Sequence, residues 1–354
     1  MFRTGCLVHC LAGGRPKATL VPRQRRIPVV TGDNQSMSGV GEQREGVTFT
    51  HLDEELFDGA STTKRDLVEY VEAISERLVP SLRNRPLSVV RVRPGQPAFM
   101  QKNLPSYTPG WVARVPIWAE ASHREISYAL ANDRRTLLWF ANQRAVEYHV
   151  TLFRVDHPDR PDYLVLDLDP PEGAAFRVVI QAAQLIRQAL AELGLSGAVK
   201  TSGAKGVHVF VPLAPPVAHE DAAAATRAIA ARAERIDPAL ATTAFLKDDR
   251  VGKVFLDSTR AGGATVVGAY SPRIRPGVPV SFPLAWEDLG RVAPTDFTVR
   301  SAVAQLGDAD PWIEFMPQAQ RLSADLIAEG HTIPIARVQA MHEGKRRARR
   351  GRDS

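Results

Sequence analysis

The chain has 354 residues, 44% of them hydrophobic, enough to bury one large core or two modest ones. Its formal net charge of +6 permits a polyanionic partner without proving one. Its two cysteines, Cys6 and Cys10, lie near the N-terminus, and no apolar run reaches membrane-spanning length. The body therefore holds no disulfide framework, zinc ribbon or transmembrane helix, which fits a reducing cytoplasm.

Residues 1–45 are rich in Gly, Arg, Gln and Ser and lack periodicity, so a disordered basic N-terminal tail is expected there. They lack the continuous apolar segment of a signal peptide, and Met37 is a second candidate start. A basic C-terminal tail is expected over 336–354. Either tail reads as solvated disorder or as a non-specific nucleic-acid tether.

Between the tails, one folded unit is expected over 46–335. Thr63 with Asp66 has the form of a capping box. Leu67, Val71, Ile74 and Leu78 then mark one face of a helix expected to end before Pro80. Pro86–Arg93 alternates as a strand that puts Arg91 and Arg93 on one face, and Phe99-Met-Gln-Lys102 follows. A basic strand beside exposed aromatics suits a nucleic-acid surface; a partly solvated edge strand is the alternative. The stretch from there to Trp118 is punctuated by prolines. Asp133 is placed to cap a helix carrying Leu137, Leu138, Phe140 and Ala141. Ala145–Val150 is the next strand and is expected to bring His149 toward the acidic stretch that follows, although a lone His there is more often structural.

That stretch is Tyr163-Leu-Val-Leu-Asp-Leu-Asp-Pro170. Its apolar start reads as a buried strand, and Asp167 and Asp169 share one face at its end. Two like charges so close repel unless a cation or proton lies between them. Hard oxygen ligands suit magnesium or manganese; two solvated Asp residues at a turn are the alternative. A helix with Val179, Ala183, Ile186 and Leu190 inward follows. Two strands then flank Ser202-Gly-Ala-Lys-Gly206, with His208 just beyond. Its glycines let backbone N–H groups approach an anion, and Ser202, Lys205 and His208 add donors; a plain tight hairpin is the alternative. The spacing is not that of a Walker loop. After an alanine-rich helix over 219–236, Lys253–Asp257 is another apolar strand ending in a carboxylate, and Asp257 is a candidate third metal ligand. Ala264–Arg273 reads as a strand with Arg273 just beyond it, and 280–335 as helical and peripheral.

In order, Asp-x-Asp, then Ser-Gly-x-Lys-Gly-x-His, then hydrophobic-Asp resembles the archaeo-eukaryotic primases. Gln-Pro-Ala-Phe-Met-Gln-Lys102, Val-Glu-Tyr-His149, Thr-Ser-Gly-Ala-Lys-Gly-Val-His208 and Ala-Tyr-Ser-Pro-Arg273 resemble, more closely, the polymerase domain of bacterial DNA ligase D. The likeness runs from about 47 to 335. It implies an α+β fold with a central, mostly antiparallel catalytic sheet and flanking helices. It also implies template-directed nucleotide addition at DNA ends or gaps in end joining, often with ribonucleotides and manganese. By position, Asp167, Asp169 and Asp257 would hold two divalent cations, Mn2+ or Mg2+. Ser202, Lys205 and His208 would bind the NTP or dNTP triphosphate with help from Arg273, and His149 would lie near its sugar or phosphates. Lys102 would match the lysine for a 5′-phosphate, Phe99 would stack on a template base, and Lys64 would touch the DNA backbone. Met100 departs from the family's frequent pair of aromatics. No Lys-x-Asp-Gly ligase signature is present, so a stand-alone module is expected, cytoplasmic and nucleoid-associated, working with a Ku-like protein and a separate ATP-dependent DNA ligase. The competing readings are a metal-dependent phosphoesterase or nuclease and a non-catalytic scaffold that binds DNA ends.

Overall fold

The computed structural model describes residues 41–119, 123–262 and 264–335. Cys6, Cys10, Met37 and the tails lie outside the described residues, except for 41–45. Those few are not tail. Gln43–Arg44 (β1) pairs with Val47–Thr48 (β2), and Arg44 is anchored by Glu72 at 2.6 Å.

Lys64–Leu82 is the first helix, α1. Both halves of its capping box form: Asp66 N donates to Thr63 Oγ1 and Thr63 N donates to Asp66 Oδ2. The helix runs past Pro80 instead of ending before it. Pro80 sits in the last turn, where the missing N–H costs one bond, and the fully buried Leu82 holds the end in place.

Then come β3 (Leu87–Arg93), β4 (Gln96–Gln101), β5 (Arg114–Ala119), β6 (Arg124–Ala129), α2 (Arg134–Asn142) and β7 (Ala145–Val150). Asp133 caps α2 as expected. The proline-rich stretch hides the β5–β6 hairpin. Pro116 is tolerated because β5 is the last strand in its sheet order, where a missing ladder donor is least costly. The second half holds β8 (Tyr163–Asp169), α3 (Phe176–Glu192), β9 (Ala198–Thr201), β10 (Val207–Pro212), α4 (His219–Ile236), β11 (Ala241–Thr242), β12 (Val254–Asp257), β13 (Val266–Val267) and β14 (Pro283–Leu284). The expected strand over 264–273 shrinks to β13. Gly268 packs closely on Leu82, and Tyr270 turns the chain at a φ of 65°. Beyond β14 lie three short helices, α5 (Ala302–Leu306), α6 (Pro311–Glu314) and α7 (Ala324–Thr332). This segment is not wholly peripheral: Trp312 is buried against Phe210, and α7 packs on α4.

Two sheets result. One has the order β13-β7-β3-β6-β5, with β4 added to β3; the other has the order β11-β12-β8-β10-β9-β14. Every pairing in them is antiparallel except β11 with β12, so the mixture of helices and mostly antiparallel sheets is α+β. Leu164, Leu166 and Leu168 are fully buried on one face of β8, and α3 and α4 pack against that strand and each other. Period-two alternation then forces Asp167 and Asp169 onto the other face. Among the described residues no helix is long and apolar enough to cross a membrane.

Candidate active site

Register builds the site. In the second sheet, Asp257 stands opposite Asp167 across β12 and β8, and His208 stands opposite Asp167 across β10 and β8. Directly paired residues share a face, so Asp257, Asp167 and His208 form one row, and Asp169 lies one step further on that face. The three carboxylates named from the sequence meet. The two hydrogen-bonding strand neighbours of β8 decide this, and neither could be assigned from local pattern.

The charges in this row are unevenly matched. Arg260, in the single turn Thr259–Gly262, reaches Asp167 Oδ2 at 2.9 Å and Asp257 Oδ2 at 3.5 Å. His208 Nε2 lies 3.1 Å from Asp167 Oδ1. Burial pushes the Asp167 carboxyl up, but His208 and Arg260 outweigh it and hold it well below the usual range. His208 is itself lowered to about 4, first by burial and then by the Lys200 charge. At neutral pH the ring is uncharged, so it acts on Asp167 as an N–H dipole and Arg260 supplies the charge. Asp257 Oδ1 accepts from Thr259 N and Oγ1. The Asp169 carboxylate has no hydrogen bond or ion pair among the described residues. Desolvation, then the charges of Asp167 and Asp257, push it up to about 6. It is solvent-exposed, so the two like charges are the more telling cause.

Among the described residues no group of three or more His, Cys, Asp or Glu is assembled as a metal cage. Arg260 intrudes between two of the acids and serves as a cation in its own right. The donor set nevertheless fits a hard divalent cation, since its groups are carboxylate oxygens, one of them unpaired and repelled by its neighbours.

The Ser202–Gly206 turn closes against this row. Ser202 N donates to Gly206 O, and the amides of Ala204 and Gly206 donate to Ser202 Oγ at 3.2 and 3.0 Å. Gly203 has a φ of 69°, and a Cβ there would lie 2.7 Å from Arg273 Cγ. A Cβ on Gly206 would overlap the Leu168 carbonyl oxygen. The glycines thus allow the turn to lie directly over β8. Lys205 is exposed and, with Asp169, Lys247, Arg250 and Lys253, lines a cavity of about 470 Å3.

Glu147, which sequence reasoning passed over, joins the two sheets. Its Oε2 lies 2.8 Å from His149 Nε2, and its Oε1 accepts from Ile274 N at 2.9 Å and faces Arg273 Nε at 3.2 Å. That last contact is an ion pair without hydrogen-bond alignment. Arg273 Nη1 donates to Ser202 O at 2.6 Å. Burial opposes ionisation of Glu147, but His149, Arg273 and the Ile274 amide bring it down to about 2. His149 therefore reaches the glycine turn through Glu147 and Arg273, and not by the direct approach to the acidic pair that was expected. The signal was a carboxylate two residues before a histidine on one strand face. Arg260, three residues after Asp257, was also missed, and so was Arg250.

The remaining expected residues belong to the other sheet and its helices. Phe99 is half-buried opposite Arg91, with the guanidinium carbons of Arg91 and Arg93 at 5.7 and 5.0 Å from its ring centroid. Met100 and Lys102 are exposed. Lys64 is only 2% exposed, and its Nζ donates to Thr50 O at 2.6 Å and Asn142 Oδ1 at 2.7 Å. Burial, then the Arg144 charge, lower it to about 8. In this arrangement its ammonium is taken up by protein acceptors instead of standing free for a DNA backbone.

Comparison with known proteins identifies the family and the fold. Residues 63–312 match the family model for the LigD primase-polymerase domain. The bifunctional non-homologous end joining protein LigD of Bacillus subtilis is 34% identical over 286 residues, covering 78% of this chain and 46% of that protein. The multifunctional non-homologous end joining DNA repair protein LigD of Mycobacterium tuberculosis is 35% identical over 266 residues, covering 72% of this chain and 34% of that one. The chain thus spans less than half the length of these relatives. Among solved structures, the polymerase domain from Mycobacterium tuberculosis ligase D in complex with DNA superposes with a TM-score of 0.70 at 32% identity, over 78% of this chain and 98% of that domain. The fold is accordingly archaeo-eukaryotic primase-like, and the chain belongs to the LigD primase-polymerase domain family.

Proposed function

We propose that this domain is a template-directed nucleotidyltransferase that extends the 3′-hydroxyl of a DNA end or gap during repair of double-strand breaks by end joining. One observation carries the reading. Three carboxylates on one sheet face adjoin a cavity lined by Lys205, Lys247, Arg250 and Lys253. Acids beside cations suit a nucleotide that must bring its phosphates to a metal-dependent centre. When bound by Asp167, Asp169 and Asp257, two divalent cations, manganese or magnesium, would supply Lewis acidity at the primer hydroxyl and neutralise charge on the departing pyrophosphate.

The chain's own residues do the rest. Lys205 pairs with the triphosphate from the cavity side, and Ser202 shapes the turn beneath it. Arg273, braced by Glu147 and the Ser202 carbonyl, supplies a second cation. His149 is held by Glu147 for the sugar or phosphates. His208, expected to donate to the triphosphate, has both ring nitrogens engaged, by Lys200 and by Asp167, and so supports the carboxylate. Phe99 offers a stacking face for a template base, and Lys102 an exposed ammonium for a 5′-phosphate. The names of the relatives support an end-joining setting; a Ku-like protein and an ATP-dependent ligase would be the partners there.

A duplex with a single gap and a 5′-phosphate, given each nucleotide type with manganese or magnesium, tests the reading. Extension that depends on the templating base is expected. Shortening of the strand without nucleotide would favour a phosphoesterase, and binding without either would favour a scaffold.

A further inference from the structure

The row that aligns Asp257, Asp167 and His208 continues one strand further. Lys200 on β9 stands opposite His208 on β10. It is 0% exposed, among the largest fully buried side chains. Its Nζ lies 2.8 Å from His208 Nδ1 and also donates to Ser281 Oγ, whose own hydrogen goes to Thr201 O at 2.9 Å. The Phe210 ring centroid is 5.5 Å away. No carboxylate pairs with Lys200 among the described residues. Burying an amine without an acid is costly, so an apolar side chain would serve better if packing were its only task.

The contact with His208 supplies the task. The ionised Asp167 can only accept, so the His208 nitrogen facing it carries the proton and Nδ1 is left to accept an N–H of Lys200. A neutral imidazole that accepts at Nδ1 carries its proton on Nε2. That nitrogen faces the Asp167 carboxylate, which can only accept. Proton and acceptor therefore match along the whole row, from Ser281 through Lys200 and His208 to Asp167.

We propose that Lys200 is a positioning residue: by holding Nδ1 it fixes the ring orientation of His208 so that Nε2–H is directed at Asp167, and thereby turns that carboxylate for cation binding. The link to cation binding rests on the function proposed above; the tautomer does not.

The test uses the full chain labelled with 15N-histidine, free of metal, with the His208 signals assigned by their loss in His208→Asn. The wild type is expected to show the proton on Nε2 alone. Lys200→Met reaches as far as Cε, fills the same space and lacks the donor. It is expected to fold, to shift and broaden the His208 ring signals as Nδ1 loses its donor, and to bind manganese roughly 10- to 100-fold more weakly without nucleotide, the range for lost outer-shell support. DNA affinity, read by anisotropy, should be unchanged, which a general packing defect would not leave intact. A wild-type proton on Nδ1, or a folded Lys200→Met with unaltered His208 ring signals or unaltered manganese affinity, overturns the proposal. The wild-type spectrum decides the tautomer even should Lys200→Met fail to fold. A protein with the expected tautomer and metal response but no nucleotide addition refutes the proposed reaction and leaves this inference standing.

Discussion

Asp257 and Asp167 are directly cross-strand partners, on antiparallel neighbours of one sheet, with Arg260 reaching both. Their charges are shared, so removing one changes what the other can hold. Asp167→Ala should cut nucleotide addition with manganese by roughly a thousand-fold or more, in line with losing a preorganised electrostatic group. DNA affinity by fluorescence anisotropy should stay near wild type. Retained addition would remove Asp167 from the machinery.

Asp169 makes the site sensitive to pH. Its folded-state value is about 6, against 3.8 for the free group, so the folded chain holds a proton that the unfolded chain has released. Between about pH 4 and 6 this group therefore weakens the metal-free fold as pH rises. The melting temperature of Asp169→Asn relative to wild type should climb over that interval. Manganese affinity of the wild type should fall as pH drops through about 6, because cations require the ionised carboxylate. A flat manganese titration over pH 5–7 would contradict the assignment.

Glu147 holds His149 and Arg273 together across two sheets. Glu147→Gln keeps the shape but leaves Arg273 without its counter-charge, and should cost about 3 kcal/mol of stability, as for a broken buried pair. Its folded-state value is lowered to about 2, so the wild-type advantage is present above pH 4.5 and disappears as pH falls toward 2. Denaturant unfolding at pH 7 and pH 3 measures both points. The KM for nucleotide should rise more than kcat falls, since Arg273 and His149 are proposed to hold substrate.

The two turn glycines are predicted to fail differently. In Gly206→Ala the added methyl meets the Leu168 backbone, so the hairpin must lift off β8, with a loss of roughly 2 kcal/mol or more. Gly203→Ala adds backbone strain of about 1–2 kcal/mol and crowds Arg273. The first should lower the melting temperature and the second chiefly the nucleotide affinity. Equal effects on both readouts would show that the turn does not discriminate between the two roles.

Phe99 presents a ring flanked by Arg91 and Arg93. Phe99→Ala should weaken binding of a single-stranded template overhang by about 1–3 kcal/mol, the usual worth of one stacked base. Overall stability should change little, because the ring is only half-buried. Unchanged affinity for the overhang would assign the DNA surface elsewhere.

How much was legible beforehand follows from the range of each signal. The α1 cap at Thr63 and Asp66, the run of β8, and the glycines between β9 and β10 are written in neighbouring residues, so period, turn chemistry and capping expose them. The ordered motifs also pointed to the fold, to the three acids and to the family. Misreadings came where local rules met a tertiary contact: Pro80 stays in a helix because Leu82 is anchored, and the strand in 264–273 ends at Val267, where Gly268 packs against Leu82. Which strands lie beside β8 is not encoded in any short window, because the pairing of β12 and β10 with it is settled by closing one core from distant segments. Only that closure put Lys200 behind His208, Glu147 between His149 and Arg273, and Arg260 across two aspartates. The sequence by itself singled out the three acids and the glycine turn as candidates; the tertiary structure decided what each one touches, since a buried charge or ring nitrogen takes its state from partners that only folding brings within reach.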